Sequence, residues 1–309
     1  MYPDNNWYGH RYILNKYCNC LDKPIFATLQ HGWISDEEAK ETNVVKRKLK
    51  LAPFLSWNSN LKKIYPSDKK IIPIGAPFLY LNKIMNKLNS KTEGTIFFPS
   101  HSVPIDYQKN HTGLKNEVNH YLAIEEIQKT AEPPYTVSLY DVDFKNEEIK
   151  KIYKDAGWKV ISFGSRENVD FLNKVYEEIY KCNLFVCSDY TSALFYAIFL
   201  KKKVRYMNEV NINNKKINLV NIDPRDKLFL KINSSIINNI KSFVPEIFKN
   251  FAYNNNIYDY ACNQLGYSNL KEVDELKKII GIESKIKTYS ASFYKEIIKL
   301  NHTLKYYLK

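Results

Sequence analysis

Several features are missing from this 309-residue sequence, and each absence closes off a class of protein. No apolar stretch is long enough to cross a bilayer. The longest, Ala193 to Leu200, falls far short of the roughly 20 residues a span requires. Met1 to Asn6 carries neither the basic nor the apolar region of a secretory signal, which predicts a cytoplasmic protein. The five cysteines, Cys18, Cys20, Cys182, Cys187 and Cys262, form no even framework and no paired CxxC units of the kind that hold zinc, so reduced thiols and no metal are expected. The phosphate-binding patterns GxGxxG and GxxxxGKS/T are both absent, which disfavours simple dinucleotide enzymes and P-loop hydrolases. No internal repeat is present.

What is present describes a globular chain. Apolar residues make up 44% and charged residues 26%, a balance that can build a core, and the length suits two compact units. The formal charge of +13 favours anionic partners: nucleotide phosphates, an anionic membrane surface or nucleic acid. Clusters such as Lys46-Arg47-Lys48 and Lys201-Lys202-Lys203 are short, and no nucleic-acid motif accompanies the charge. Nucleic acid is therefore not an expected partner, although charge and tyrosine content keep it as a rival.

Short apolar runs, each ending in a small polar cluster and followed by a helical pattern, predict an α/β fold. The runs are Pro24 to Leu29, Lys70 to Ile74, Thr95 to Phe98, Thr136 to Leu139 and Leu184 to Cys187, with Pro53 to Trp57, Lys159 to Phe163 and Val204 to Met207 as further strands. Phe171, Leu172, Val175, Tyr176 and Ile179 recur at helix spacing, with Lys174 and Glu177 placed to pair with Glu178 and Lys181. Beyond Ser234 helices take over, ending in an amphipathic stripe of Ile297, Leu300, Leu304 and Leu308. A domain joint is expected in the polar stretch Asn86 to Gly94, giving units over 1–90 and 91–235 and a helical segment over 236–309.

Ligands of parallel sheets gather at the carboxyl ends of strands, so the clusters ending these runs are where chemistry is sought. Ser188-Asp189-Tyr190-Thr191-Ser192 precedes the apolar helix Ala193 to Leu200, whose unpaired N–H groups and partial positive charge could seat a phosphate with help from the two hydroxyls. The same cluster also fits plain capping, with Asp189 as N-cap. His31, in Leu29-Gln30-His31-Gly32-Trp33, follows a strand and a glycine follows it; it could take a proton from a hydroxyl, or be satisfied by loop backbone. His101 and Ser102, after Pro99-Ser100, occupy the same kind of position and could bind donor phosphate. Asp141-Val142-Asp143 has the spelling of a DxD metal motif, though polar contact to a donor or to backbone is favoured over a metal. In Gly164-Ser165-Arg166 the guanidinium could clamp a carboxylate or phosphate, or stay solvated.

Taken together, Tyr8-Gly9-His10, Leu29 to Trp33, Ile74 to Tyr80, Phe98 to Ser102, Leu139 to Asp143, Gly164 to Arg166 through Phe171-Leu172, Ser188 to Ala197 and the tail Ala261 to Gly266 through Leu276 to Gly281 resemble bacterial capsular and surface-polysaccharide glycosyltransferases of GT-B type. That group is distantly similar to teichoic-acid glycerophosphotransferases and to bacterial sialyltransferases and Kdo transferases. The resemblance implies two Rossmann-like domains, the first reduced, and metal-independent sugar transfer without a cofactor. The donor would be nucleotide-activated, first of all a CMP-linked nonulosonic acid or Kdo, and the acceptor a glycan or lipid-linked glycan at the anionic inner face of the membrane. It implies His31 as the catalytic base, and His101, Ser102, Asp143, Ser165, Arg166, Asp189, Thr191 and Ser192 around the donor. CDP-glycerol-type phosphate transfer and a non-catalytic binding module are the alternatives. The His-Pro pair of sialyltransferase-like enzymes has no counterpart here.

Overall fold

The computed structural model describes residues 2–41, 45, 52–66, 70–85, 91–100, 118–211 and 224–281. Every apolar run expected to be a strand contributes one, and the strands form two parallel sheets. The first holds β1 (Thr28–Leu29), β2 (Phe54–Ser56) and β3 (Ile71–Pro73) in that order. The second holds β4 (Thr95–Phe98), β5 (Tyr135–Ser138), β6 (Lys159–Ile161), β7 (Leu184–Cys187) and β8 (Lys203–Tyr206) in the order β6-β5-β4-β7-β8. The chain enters this sheet at its centre, builds outward to β6, then returns to place β7 on the other side of β4. A topological switch point therefore lies between the carboxyl ends of β4 and β7, as in Rossmann-like units. The chain is an α/β protein with parallel sheets.

Helices fill the connections: α1 (His10–Tyr17), α2 (Asp36–Glu41), α3 (Asn60–Ile64) and α4 (Pro77–Ile84) around the first sheet. Around the second are α5 (His120–Thr130), α6 (Asp141–Phe144), α7 (Glu147–Asp155), α8 (Phe171–Lys181) and α9 (Ser192–Phe199). α10 (Pro224–Phe243), α11 (Asn255–Leu265) and α12 (Val273–Ile280) follow. The boundary expected at 235 falls inside α10, the one expected at 90 and the stripe from Ile297 to Leu308 outside the described residues. α8 buries the predicted face of Leu172, Val175, Tyr176 and Ile179. On its outer side Glu178 pairs with Lys181 at 3.1 Å and Lys159 at 3.2 Å rather than with Lys174, because the neighbouring strand brings a lysine within reach.

Alternation along the strands of the second sheet divides its two faces. Phe97, Val137 and Val186 pack with Tyr153 and Trp158 on one side. Ile96, Phe185 and Val204 face a larger core that also contains Leu29, Leu55 and Trp57 of the first sheet region. Both sheets thus share one continuous interior. At its centre Phe78 of α4 stacks on Tyr196 of α9, centroids 4.0 Å apart and planes 6° off parallel. α11 completes the join. Asn254 caps its start, accepting from the Ile257 N–H at 2.9 Å, and its end bonds to the first sheet region through Ala76 N–H to Leu265 O at 2.8 Å. Gly266, at φ +70°, closes that helix so tightly against β2 that a Cβ there would lie 1.9 Å from the Trp57 carbonyl oxygen.

Because the core is shared, removing the Phe78 ring should destabilise the whole molecule by roughly 3–5 kcal/mol. Urea unfolding of Phe78→Ala followed by tryptophan fluorescence and by far-ultraviolet dichroism should shift in one coincident transition; two separate transitions would show independent units.

Candidate functional site

One cleft of about 320 Å³ lies where the two sheets meet, over the switch point. Its second-sheet side is built by the ends of β4 and β7: Phe98 and Pro99 from one, Asp189, Tyr190, Thr191 and Ser192 from the other. Leu139, Tyr140, Phe163 and Gly164 extend it past β5 and β6, and Tyr8, His10, His31, Gly32 and Trp33 form the opposing wall. Clusters more than 150 residues apart in sequence are joined directly here: the Trp33 N–H donates to Ser192 Oγ at 3.0 Å across a separation of 159. Trp33 is held further by its indole N–H on Gln264 Oε1 at 2.8 Å and by the Phe195 ring at 5.1 Å.

The start of α9 resolves the capping question. Thr191, not Asp189, is the N-cap, its Oγ1 accepting from the Ala193 N–H at 3.1 Å, and the Leu194 N–H bonds the Thr191 carbonyl at 3.1 Å. Among the described residues no acceptor meets the N–H groups of Thr191 and Ser192, so two donors at the positive end of the helix remain open to a ligand. Ser192 Oγ itself is engaged with Trp33, and its hydroxyl also meets Tyr196. Asp189 turns toward the switch point: one carboxylate oxygen accepts from Ser100 Oγ at 3.0 Å, the other from the Tyr190 N–H at 2.8 Å. Ser100 is pinned from its other side, its N–H donating to Ser188 Oγ at 2.8 Å. Burial, followed by the charges of Asp189 and Glu38, raises the pKa of Tyr190 and keeps it protonated, and its hydroxyl bonds Asn233 of α10.

His31 sits against the Trp7 ring, centroids 4.9 Å apart, with its Nε2 4.0 Å from Asp4 Oδ2. On its other side is His10, in a nearly parallel ring 6.3 Å away. Residues Pro3–Gly9 form a kinked 3₁₀ segment in which Tyr8 adopts φ +58° and Gly9 φ +76°. That left-handed pair swings Tyr8 and His10 into the cleft wall, and a Cβ on Gly9 would lie 2.1 Å from the Val169 carbonyl oxygen. His10 is 1% exposed. Burial drives its pKa from 6.5 down to about 3, against a smaller opposing influence of the Gln30 backbone, so the ring stays neutral.

Of the residues singled out from sequence, His31, Asp189, Thr191 and Ser192 therefore converge on one cleft. Others do not line it. The Arg166 guanidinium lies over the Trp7 ring at 3.9 Å and beside Glu167 at 3.3 Å, so it braces the ring against which His31 rests. Ser165 hydrogen-bonds Glu167. Asp143 is buried beneath α6, where its charge acts on His120 and Tyr153, themselves joined at 2.8 Å, while Asp141 pairs with Lys145 at 2.7 Å. The two aspartates of the DxD spelling thus serve different neighbours, and no group of three metal-ligating side chains occurs among the described residues. His101 and Ser102 lie outside those residues. Sequence reading gave no role to Tyr8, His10, Trp7 or Ser100; the glycine of Tyr8-Gly9-His10 was the one available signal. No described helix is long and apolar enough to cross a membrane.

The fold and cleft define an α/β protein with two parallel sheets and a ligand-sized crevice at a switch point. No protein-family model matches the chain, and no curated protein matches its sequence.

Acid should weaken this arrangement through His10. The unfolded chain binds a proton near the ordinary value of 6.5 while the folded ring resists until about 3, so the stability present above 6.5 is lost as pH falls through that window. The slope from this group approaches about 1.4 kcal/mol per pH unit. Urea midpoints measured across the window should fall more steeply for the wild type than for His10→Phe.

Proposed function

We propose that the chain is a metal-independent glycosyltransferase of GT-B-like organisation. It moves a sugar from a nucleotide-activated donor, first of all a CMP-linked nonulosonic acid or Kdo, to a bacterial surface glycan. The observation that carries this reading is the opposition, within one cleft, of the open N-terminus of α9 and the His31 loop. A donor phosphate seated on the Thr191 and Ser192 N–H groups leaves as the glycosidic bond breaks, and the negative charge that grows on it is met by fixed dipoles rather than by mobile ions. Across the cleft, His31 takes the proton of an acceptor hydroxyl whose oxygen attacks the anomeric carbon, with Asp4 favouring the imidazolium so formed. If configuration is retained, His31 positions the acceptor instead. Ser100 and Asp189 form the polar floor between these groups. Arg166, expected at the donor, acts in this scheme through Trp7. The net charge of +13 would hold the enzyme at an anionic inner leaflet, where a lipid-linked acceptor resides.

Release of free nucleotide from CMP-, CDP-, UDP- and GDP-linked donors in the presence of a lipid-linked glycan tests the reading. One donor should turn over, and His31→Ala should slow it by roughly 10²–10⁴-fold while leaving nucleotide affinity in place. Failure of every donor to bind or to release nucleotide overturns it.

A further inference from the structure

His31 reaches the cleft, but not with the atoms that could take a proton. Its side chain is 11% exposed and lines the cleft, while each ring nitrogen has under 1 Å² of accessible surface. The exposed part of the side chain is therefore carbon, and the nitrogens are sealed. The nearest cover comes from the N-terminal segment: the Trp7 ring, its centroid 4.9 Å from that of His31 and its plane tilted by 53°, and Asp4, whose Oδ2 is 4.0 Å from Nε2. The backbone of that segment is pinned on both sides of Trp7. Buried Asn5 donates to the Ala27 carbonyl at 2.7 Å and accepts from the Leu29 N–H at 2.9 Å, and the Tyr8 N–H donates to the Arg166 carbonyl at 2.6 Å. Between those anchors the indole is free of the main-chain bonds and is held by stacking, with the Arg166 guanidinium over it at 3.9 Å. Neither Trp7 nor Arg166 lines the cleft, so this pair acts on His31 and not on a ligand directly.

Resting on the transferase reading, we infer that Trp7 is a gate on His31: its ring closes over the imidazole, Arg166 keeps it closed, and a donor phosphate opens it by drawing the guanidinium away. The hold has the strength of a contact that a ligand can replace. The Arg166 side chain is 27% exposed and its ion-pair partner Glu167 63% exposed, a setting in which cation–π contact and ion pairing are both weak. A phosphate offers the same guanidinium paired, charge-assisted hydrogen bonds, which are stronger. The turn that carries Arg166 also borders the cleft, through Gly164 two residues before it. With the backbone anchored, opening is a swing of the indole alone. The order that follows is donor first and acceptor second, because the base is uncovered only once the phosphate is seated.

Carbethoxylation of histidines by diethylpyrocarbonate, followed residue by residue by peptide mass spectrometry, tests the gate without requiring turnover. His31 should react slowly in wild type. Arg166→Gln and Trp7→Leu should each speed that reaction roughly tenfold or more, and Arg166→Lys, which keeps a cation for the indole, should restore protection. Unchanged His31 reactivity in both Arg166→Gln and Trp7→Leu overturns the inference. His10, 1% exposed, reports on the fold. Where a variant lets His10 react as well it has unfolded, and the decision passes to wild type with CMP, CDP, UDP or GDP. A nucleotide that binds in calorimetry should raise the reactivity of His31; one that binds and leaves His31 sealed overturns the inference. Binding of none of the four overturns the transferase reading and the phosphate trigger with it, while the variants still decide whether Trp7 shields His31.

Discussion

A parallel sheet whose strands are two or three residues long cannot bury enough surface to stand alone, and this constraint governs the molecule. The first sheet persists because its inner face opens into the same core as the second. Leu29, Leu55 and Trp57 lie in one apolar cluster with Ile96, Phe185 and Val204, and the Phe78–Tyr196 stack runs through it. Two units that must share an interior cannot also separate freely. The seam between them is consequently a place where polar groups from both sides are held at fixed spacing, which is what a preorganised site requires. The cleft is the unfilled part of that seam.

The same constraint explains why so much structure lies at chain positions that are remote from the sheets. Pro3–Gly9 is tied to the second unit by the Tyr8 N–H on the Arg166 carbonyl at 2.6 Å and by the guanidinium over Trp7, while Asn5 reaches back to Ala27 and Leu29 of the first. At the other end α11 returns across the join to meet Trp57 and Ala76. The Asn5 bonds fix the segment to the first sheet region and the others cross the join, and together they set the spacing between His31 and the start of α9.

Strands were legible in the sequence because a buried parallel strand is written as a compact apolar run with a polar stop, as in Leu184 to Cys187 followed by Ser188. The approximate location of the cleft followed, since carboxyl ends of parallel strands are where loops converge. Side-chain direction did not. Arg166 and Ser192 both sit at strand-end clusters, but one lies on an aromatic ring and the other is spent on a backbone N–H from a segment 159 residues away. Asp143 is one turn into a helix that carries it away from the strand end, toward His120 and Tyr153. No local pattern encodes such partners. His10 was invisible for a related reason: its neutrality comes from burial, a property of the assembled core and not of Tyr8-Gly9-His10 itself.

Electrostatics at the seam and on the surface obey different rules. The chain carries a net +13, yet the described lining of the cleft contains no lysine or arginine; it offers a helix terminus, aromatic and imidazole rings and the Asp189 carboxylate. Surface cations act over a distance that salt shortens to about 10 Å at 0.1 M, so any adhesion they provide weakens steeply as ionic strength rises. Backbone N–H dipoles fixed by α9 act at contact distance in a partly dehydrated crevice and are far less screened. On the proposed reading, high salt would release such a molecule from an anionic surface while a phosphate in the cleft stayed bound. A site lined by lysines would lose both together, so the salt dependence of the two interactions distinguishes recognition by dipoles from recognition by charge.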